Sequence, residues 1–228
     1  MSPSTLPTPI ETYLSSVSAL IAALPADQIA AAAELLLATW RRRGRVYVCG
    51  NGGSAAIASH FAGDLNKGAN VAGRHRFRAS ALVDNTPALM AWSNDDGYDI
   101  AMAEQLRNFV EPGDLVIGIS GSGNSLNVVN ALALARQAGA SILAMVGFDG
   151  GRLASADLSH VVIHVPSHSM EQVEDAFGVV CHCLLFTLRR MIRLEPPCAD
   201  PLLASRQDAY PGEIRGVSSV ECQVSGVR

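Results

Sequence analysis

The sequence predicts an α/β protein, a parallel sheet with helices on both faces, and three observations carry that expectation. Five short runs rich in apolar and β-branched residues recur along the chain: Val46 to Cys49, Ala79 to Val83, Leu115 to Ile119, Ile142 to Val146 and Val161 to Val165. Helix-length segments mostly separate them, and such alternation builds a parallel sheet. Leu115 to Ile119 is nearly continuous in apolar character, as a strand covered on both sides must be. With 228 residues, 49% hydrophobic and 17% charged, the chain is long enough to bury one substantial core as a single domain.

Taken in order, the elements have local reasons. Ile10 to Arg43 is rich in Ala and Leu at helical spacing and is broken at Leu24-Pro25-Ala26-Asp27. Pro25 stops one helix and Asp27 lies near the start of the next, so an N-terminal helical hairpin is expected over 10–43. The first strand leads into Gly50-Asn51-Gly52-Gly53-Ser54 and then a helix from Ala55 to Phe61. Glycines there allow positive φ and close approach of a ligand, the helix's first N–H groups can hold an anion, and Ser54 suits an N-cap. A tight βα turn with no ligand is the competing reading. The third strand leads into Ser120-Gly121-Ser122-Gly123-Asn124-Ser125, which opens a helix running through Arg136. Three hydroxyls plus helix-end N–H groups can nearly surround a phosphate, and their density makes a merely capping role the weaker alternative. Neither turn carries the lysine of a P-loop or the GxGxxG spacing, so no nucleotide cofactor is expected. Both turns lie where open α/β sheets bind ligands, at the carboxyl ends of strands. The last helix is expected from about Met170 to Arg193, with Glu171, Glu174 and Asp175 early and Arg189, Arg190 and Arg193 late, in keeping with the helix dipole. Glu195-Pro196-Pro197 breaks it. A domain over 1–195 is expected, then a tail over 196–228 that is poorly ordered or packs as a partner arm.

Composition narrows the function classes. A net charge of -4 and a pI near 5.8 argue against a binder of nucleic acid, which would carry a basic patch. The N-terminus MSPSTLPTPIETY has no basic and apolar leader pattern, and no stretch approaches about 20 apolar residues. No membrane partner is expected, and a cytoplasmic location is. Cys49, Cys181, Cys183, Cys198 and Cys222 form no CxxC pair; Cys49 and Cys181 read as buried free thiols.

The segments CGNGGSAAIASHFAGDL, SNDDGYD, GISGSGNSLNVVNAL and GFDGGRL, followed by the helix bearing His182, occur in that order. On these the chain resembles the sugar isomerase (SIS) domain superfamily and, within it, the phosphoheptose isomerase group, over about Ile10 to Arg193. The resemblance implies a three-layer αβα sandwich around a five-stranded parallel sheet, flavodoxin-like, assembled as a homotetramer with active sites between subunits. It implies conversion of sedoheptulose 7-phosphate to a heptose 7-phosphate, serving surface polysaccharide or a secondary metabolite. Ser120, Ser122 and Ser125 would hold the phosphate, with Gly121 standing where the family commonly has Thr. Asn51, Gly52, Gly53, Ser54 and Asp95 would line the sugar, although Asp95 beside Gly97 reads equally as a turn former.

Aldose-ketose exchange needs a base and an acid beside the reacting carbons. His60 and Asp64, spaced i, i+4, share a helical face, and Glu174 and His182 lie on the last helix. By resemblance the base falls on Asp64, where the family usually has Glu, and the acid on His182. Glu174 replaces the family's usual Gln and could serve as the base; a slipped helix start would instead bring in Gln172. Some members of the family bind zinc through positions matching His60, Asp64, Glu174 and His182, which makes one zinc per subunit an expectation. A regular helix separates Glu174 from His182 by about 12 Å, which makes a shared ion difficult. His75, His160, His164 and His168 read as surface or strand-end residues. A non-catalytic tetramer that binds a phosphosugar and associates with the replication initiator, as close relatives do, and an isomerase of another phosphosugar are the alternatives.

Overall fold

The computed structural model describes residues 7–197, so the tail expected over 196–228 lies outside the described residues from Cys198 on, Cys222 included. The hairpin forms as α1 (Pro9–Ala22) and α2 (Ala26–Arg41). Thr8 and Glu11 cap α1 reciprocally, each side chain taking the other's backbone N–H. Pro25 stands at the N-cap of α2 with no N–H of its own to satisfy.

Then follow β1 (Arg45–Gly50), α3 (Gly53–Gly63), β2 (Arg78–Ala81), α4 (Thr86–Asp95), α5 (Ala101–Arg107), β3 (Leu115–Ser120), α6 (Leu126–Gln137), β4 (Ser141–Val146), β5 (Val161–His164) and α7 (Met170–Leu194). All five strands are parallel, in the order β2-β1-β3-β4-β5. Chain direction across the sheet therefore reverses between β1 and β3, the switch point at which doubly wound sheets take their ligands. Successive side chains of β1 go to opposite faces. Val46 and Val48 join α2, α3 and α7, while Tyr47 and Cys49 join α5 and α6. This is the three-layer sandwich with helices on both faces.

Several expectations meet local outcomes. Cys49 and Cys181 are buried free thiols, and Cys183 is exposed. Burial pushes the Cys49 thiol up to about 12; burial, and then the nearby Asp64 charge, push Cys181 up as well. His75 corrects the surface reading. It is buried, stacked on Trp40 with ring centroids 3.8 Å apart. The two residues tie their backbones together: His75 Nε2 donates to the Trp40 carbonyl at 2.7 Å and Trp40 Nε1 to the His75 carbonyl at 3.0 Å. Nothing in the spacing of HRF signalled this partner 35 positions earlier. Among the described residues no single helix is long and apolar enough to cross a membrane.

Candidate active site

The first turn leaves β1 at Gly50 and swings through Gly52 at φ 56° before α3 begins at Gly53. A side chain at Gly50 would overlap the Ser54 and Ile119 backbones, so only glycine lets the two switch-point strands and the helix start meet there. Gly52, not Ser54, is the N-cap; Ser54 lies buried inside the first turn of α3. The second turn folds on itself. Ser120 Oγ lies 3.1 Å from Ser125 Oγ and accepts the Gly123 N–H at 3.2 Å, and Ser122 Oγ accepts the Asn124 N–H at 3.3 Å. Ser125 is the N-cap of α6 but makes no capping bond with its side chain, so beyond its contact with Ser120 that hydroxyl keeps hydrogen-bonding capacity for a ligand.

The GFDGGRL segment supports this turn. Asn124 Oδ1 accepts the Arg152 N–H at 3.0 Å, and Leu153 N–H donates to the Gly123 carbonyl at 3.0 Å. The two turns enclose one cleft of about 240 Å³, lined by Asn51, Gly52, Gly53, Ser54, Ile119, Ser120, Gly121, Ser122, Ser125, Met170 and Glu174. Every residue expected to hold the phosphosugar is there except Asp95. That residue ends α4, exposed, with its carboxylate taken by Asn94 Nδ2 at 2.7 Å. A larger cleft of about 830 Å³ runs along the edge strand β2, but it has no helix-capping hydroxyls and none of the residues above.

Two residues had no sequence signal, one in the cleft wall and one behind it. Met170 replaces any side chain at position 121, because a Cβ on Gly121 would stand 2.5 Å from its sulfur. Asn127, buried in the first turn of α6, pairs amide to amide with Asn51. Gln172 does not enter the cleft. It is held between Ser167 and Ser16 by bonds of 2.8 and 2.9 Å. Beside it Tyr13 donates to Asp175 at 2.7 Å, a bond that, ahead of burial, pushes the Tyr13 hydroxyl up to about 12.

His60, Asp64 and His182 form a second cluster. His60 Nε2 lies 3.0 Å from His182 Nε2, and Asp64 Oδ2 lies 3.3 and 3.7 Å from them. Asp64 stands where α3 widens into a π-helical turn over Asp64–Gly68, a distortion common at functional sites. Its Oδ2 is buried and accepts no hydrogen bond. Two imidazoles and a carboxylate are the donors zinc takes, and a tetrahedral ion with bonds of about 2.0 Å would space them about 3.3 Å apart, close to what is seen. The cluster is thus compatible with zinc.

Glu174 does not belong to it, which corrects the expected fourth ligand. Its carboxylate lies against Gly53, so closely that a Cβ there would overlap it. α3 and α7 therefore run side by side, touching at Gly53 and Glu174 at one end and at His60 and His182 at the other. Seven residues of α3 and eight of α7 separate these contacts, about 10 and 12 Å of helical rise. Since α7 is unbroken from Met170 to Leu194, no irregular start brings Glu174 to the histidines.

Residues 12–147 match the family described as SIS domain. The chain is 41% identical over 182 residues to a phosphoheptose isomerase of Chlorobaculum parvum, covering 79% of this chain and 86% of that one. It is 40% identical over 182 residues to a lincomycin biosynthesis protein of Streptomyces lincolnensis, covering 77% of this chain but 65% of that protein. Among solved structures, the phosphoheptose isomerase of Neisseria gonorrhoeae superposes with a TM-score of 0.73 at 30% identity, over 79% of this chain and 97% of that one. A sheet with its switch point between β1 and β3, two Gly/Ser-rich turns sharing a cleft and these relatives converge: the chain belongs to the SIS domain family, within its phosphoheptose isomerase group, and is a phosphosugar isomerase.

Proposed function

We propose that the chain converts sedoheptulose 7-phosphate to D-glycero-D-manno-heptose 7-phosphate through an enediol, in the synthesis of a nucleotide-activated heptose. The observation that carries this reading is the separation of the two groups of residues along α3 and α7. A phosphate held by Ser120, Ser122 and Ser125 shares its cleft with Glu174, which stands about 12 Å of helical rise from His182. An open-chain seven-carbon sugar can bring its far end toward the histidines from there, whereas a triose phosphate is too short. Similarity to the lincomycin protein favours a secondary metabolite as the end of the route.

In this reading the hydroxyls of the second turn and the N–H groups opening α6 fix the phosphate. Asn51, Gly52, Gly53 and Ser54 contact the sugar. Asp64 takes the proton from C1 while His182 protonates the C2 carbonyl oxygen, giving the enediol. Proton return to C2 and loss of the O1 proton then leave the aldose. Asp64 rather than Glu174 is the base, because only Asp64 lies within 3.7 Å of the acid. Zinc held by His60, His182 and one oxygen of Asp64 would supply Lewis acidity to the sugar's carbonyl oxygen in place of the His182 proton, leaving the second Asp64 oxygen as the base. The resemblance to the phosphoheptose isomerase group makes assembly into a homotetramer part of this reading.

Incubation of the purified protein with sedoheptulose 7-phosphate is expected to yield the aldose phosphate, and dialysis against a chelator to lower the rate at least tenfold until zinc is restored. No conversion with or without zinc would overturn the enzyme reading and leave a sugar-phosphate binder. A second expectation concerns Glu174, whose negative charge shares a cleft with the phosphate. Removing that repulsion with Glu174→Gln should lower KM by about fivefold with little change in kcat, a modest gain because the open cleft screens the charges. Steady-state kinetics distinguish this from the loss of kcat that a catalytic base would show.

A further inference from the structure

The side chain of Asn51 is held by a chain of hydrogen bonds whose polarity is set from inside the protein. The Val128 backbone N–H, in the first turn of α6, donates to Asn127 Oδ1 at 3.0 Å. An amide N–H can only donate, so this contact fixes which end of the buried Asn127 carboxamide is oxygen. That oxygen also accepts Asn51 Nδ2 at 2.9 Å, while Asn127 Nδ2 donates to Asn51 Oδ1 at 2.8 Å. The orientation of Asn51 follows from that of Asn127. Its oxygen has one lone pair left, which the Tyr98 hydroxyl takes by donating at 2.7 Å.

Tyr98 belongs to the SNDDGYD segment, and its neighbour Asp99 is tied to α6 through the Asn130 Nδ2 bond to its carbonyl at 2.9 Å. With both lone pairs and one N–H of the Asn51 amide engaged, a single N–H remains for the cleft that Asn51 lines. We propose that Tyr98 and Asn127 are positioning residues of the isomerase site: they lock the Asn51 carboxamide so that it meets the sugar as a donor only. An Asn51 so held selects an acceptor oxygen on the open-chain sugar. Released, the amide could turn over and present its oxygen instead, and it would lose rotamer freedom on binding.

This inference rests on the reading of Asn51 as part of the sugar-binding wall. The test compares Asn51→Ala, Tyr98→Phe and the double variant of the full chain, with sedoheptulose 7-phosphate as substrate and inorganic phosphate as competing inhibitor. Tyr98 is about half exposed, and loss of its hydroxyl should leave the thermal midpoint unchanged. Tyr98→Phe is expected to lower kcat/KM about tenfold, in line with one lost polar contact, while the inhibition constant of phosphate stays within twofold. Adding Tyr98→Phe to Asn51→Ala is expected to change kcat/KM by less than twofold.

Multiplying effects in the double variant, or an equal weakening of phosphate inhibition, would overturn the proposal, since Tyr98 would then act directly on substrate or on the fold at large. An inert Tyr98→Phe beside an impaired Asn51→Ala overturns the positioning role alone. An inert Asn51→Ala, or a wild-type protein that neither binds nor turns over sedoheptulose 7-phosphate, overturns the sugar-wall reading and this inference with it.

Discussion

Asp64→Asn and His182→Ala are each expected to lower kcat by about 10²–10⁴-fold, the usual contribution of a positioned acid or base. The two side chains lie 3.7 Å apart and share His60 as a neighbour, 3.3 and 3.0 Å from Asp64 and His182 respectively. Groups that act as a unit lose most of their effect when either goes, so the double variant should be scarcely slower than the worse single one. Affinity for inorganic phosphate should be unchanged in all three, because the serine turn lies a helix segment away. Stopped assays for the aldose product, with calorimetric titration of phosphate, read both quantities. A full-rate Asp64→Asn beside an inactive Glu174→Gln would transfer the base to the phosphate cleft and break the proposed geometry.

The next largest effect is expected from Gly123→Ala. Gly123 holds φ at 66°, a region any other residue enters at a cost of about 1 kcal/mol. Its added Cβ would overlap the Gly150 carbonyl oxygen, backbone against backbone, with no flexible side chain to yield. Gly123 also donates its N–H to Ser120 Oγ and accepts that of Leu153, so a shift there releases a hydroxyl of the proposed phosphate cradle and the supporting segment together. A loss of about 3 kcal/mol of stability follows from combined strain and overlap. At this chain length that lowers the thermal midpoint by roughly 10 °C, and phosphate affinity should fall with it. Gly52→Ala is the comparison: φ is 56° but the space beside it is open, so only the backbone strain remains.

What was legible in the sequence had local causes. Strand runs, the break at Pro25 and the turn glycines are governed by neighbours a few residues away, and α1, α2 and β1 end within a few residues of where those signals stand. The i, i+4 spacing of His60 and Asp64 put them on one face even though the helix widens to π geometry at Asp64. Where the reading left choices, the missing term was distance in space. Glu174 was a reasonable metal ligand by resemblance, and only the side-by-side packing of α3 and α7 shows that its contact is Gly53.

The same holds for Asn127, Met170 and His75, each of which meets a partner 35 or more positions away. The sequence by itself determined the parallel α/β architecture, the two Gly/Ser-rich turns and the residue types able to do acid-base chemistry, since periodicity and turn chemistry act within a few residues. Tertiary structure alone decided that the two turns face one cleft, that His60, Asp64 and His182 converge, and that Glu174 and Asp95 stand apart from them. Those outcomes depend on how α3, α6 and α7 pack across the sheet, and packing sums contacts between segments whose sequence separation carries no information about their meeting.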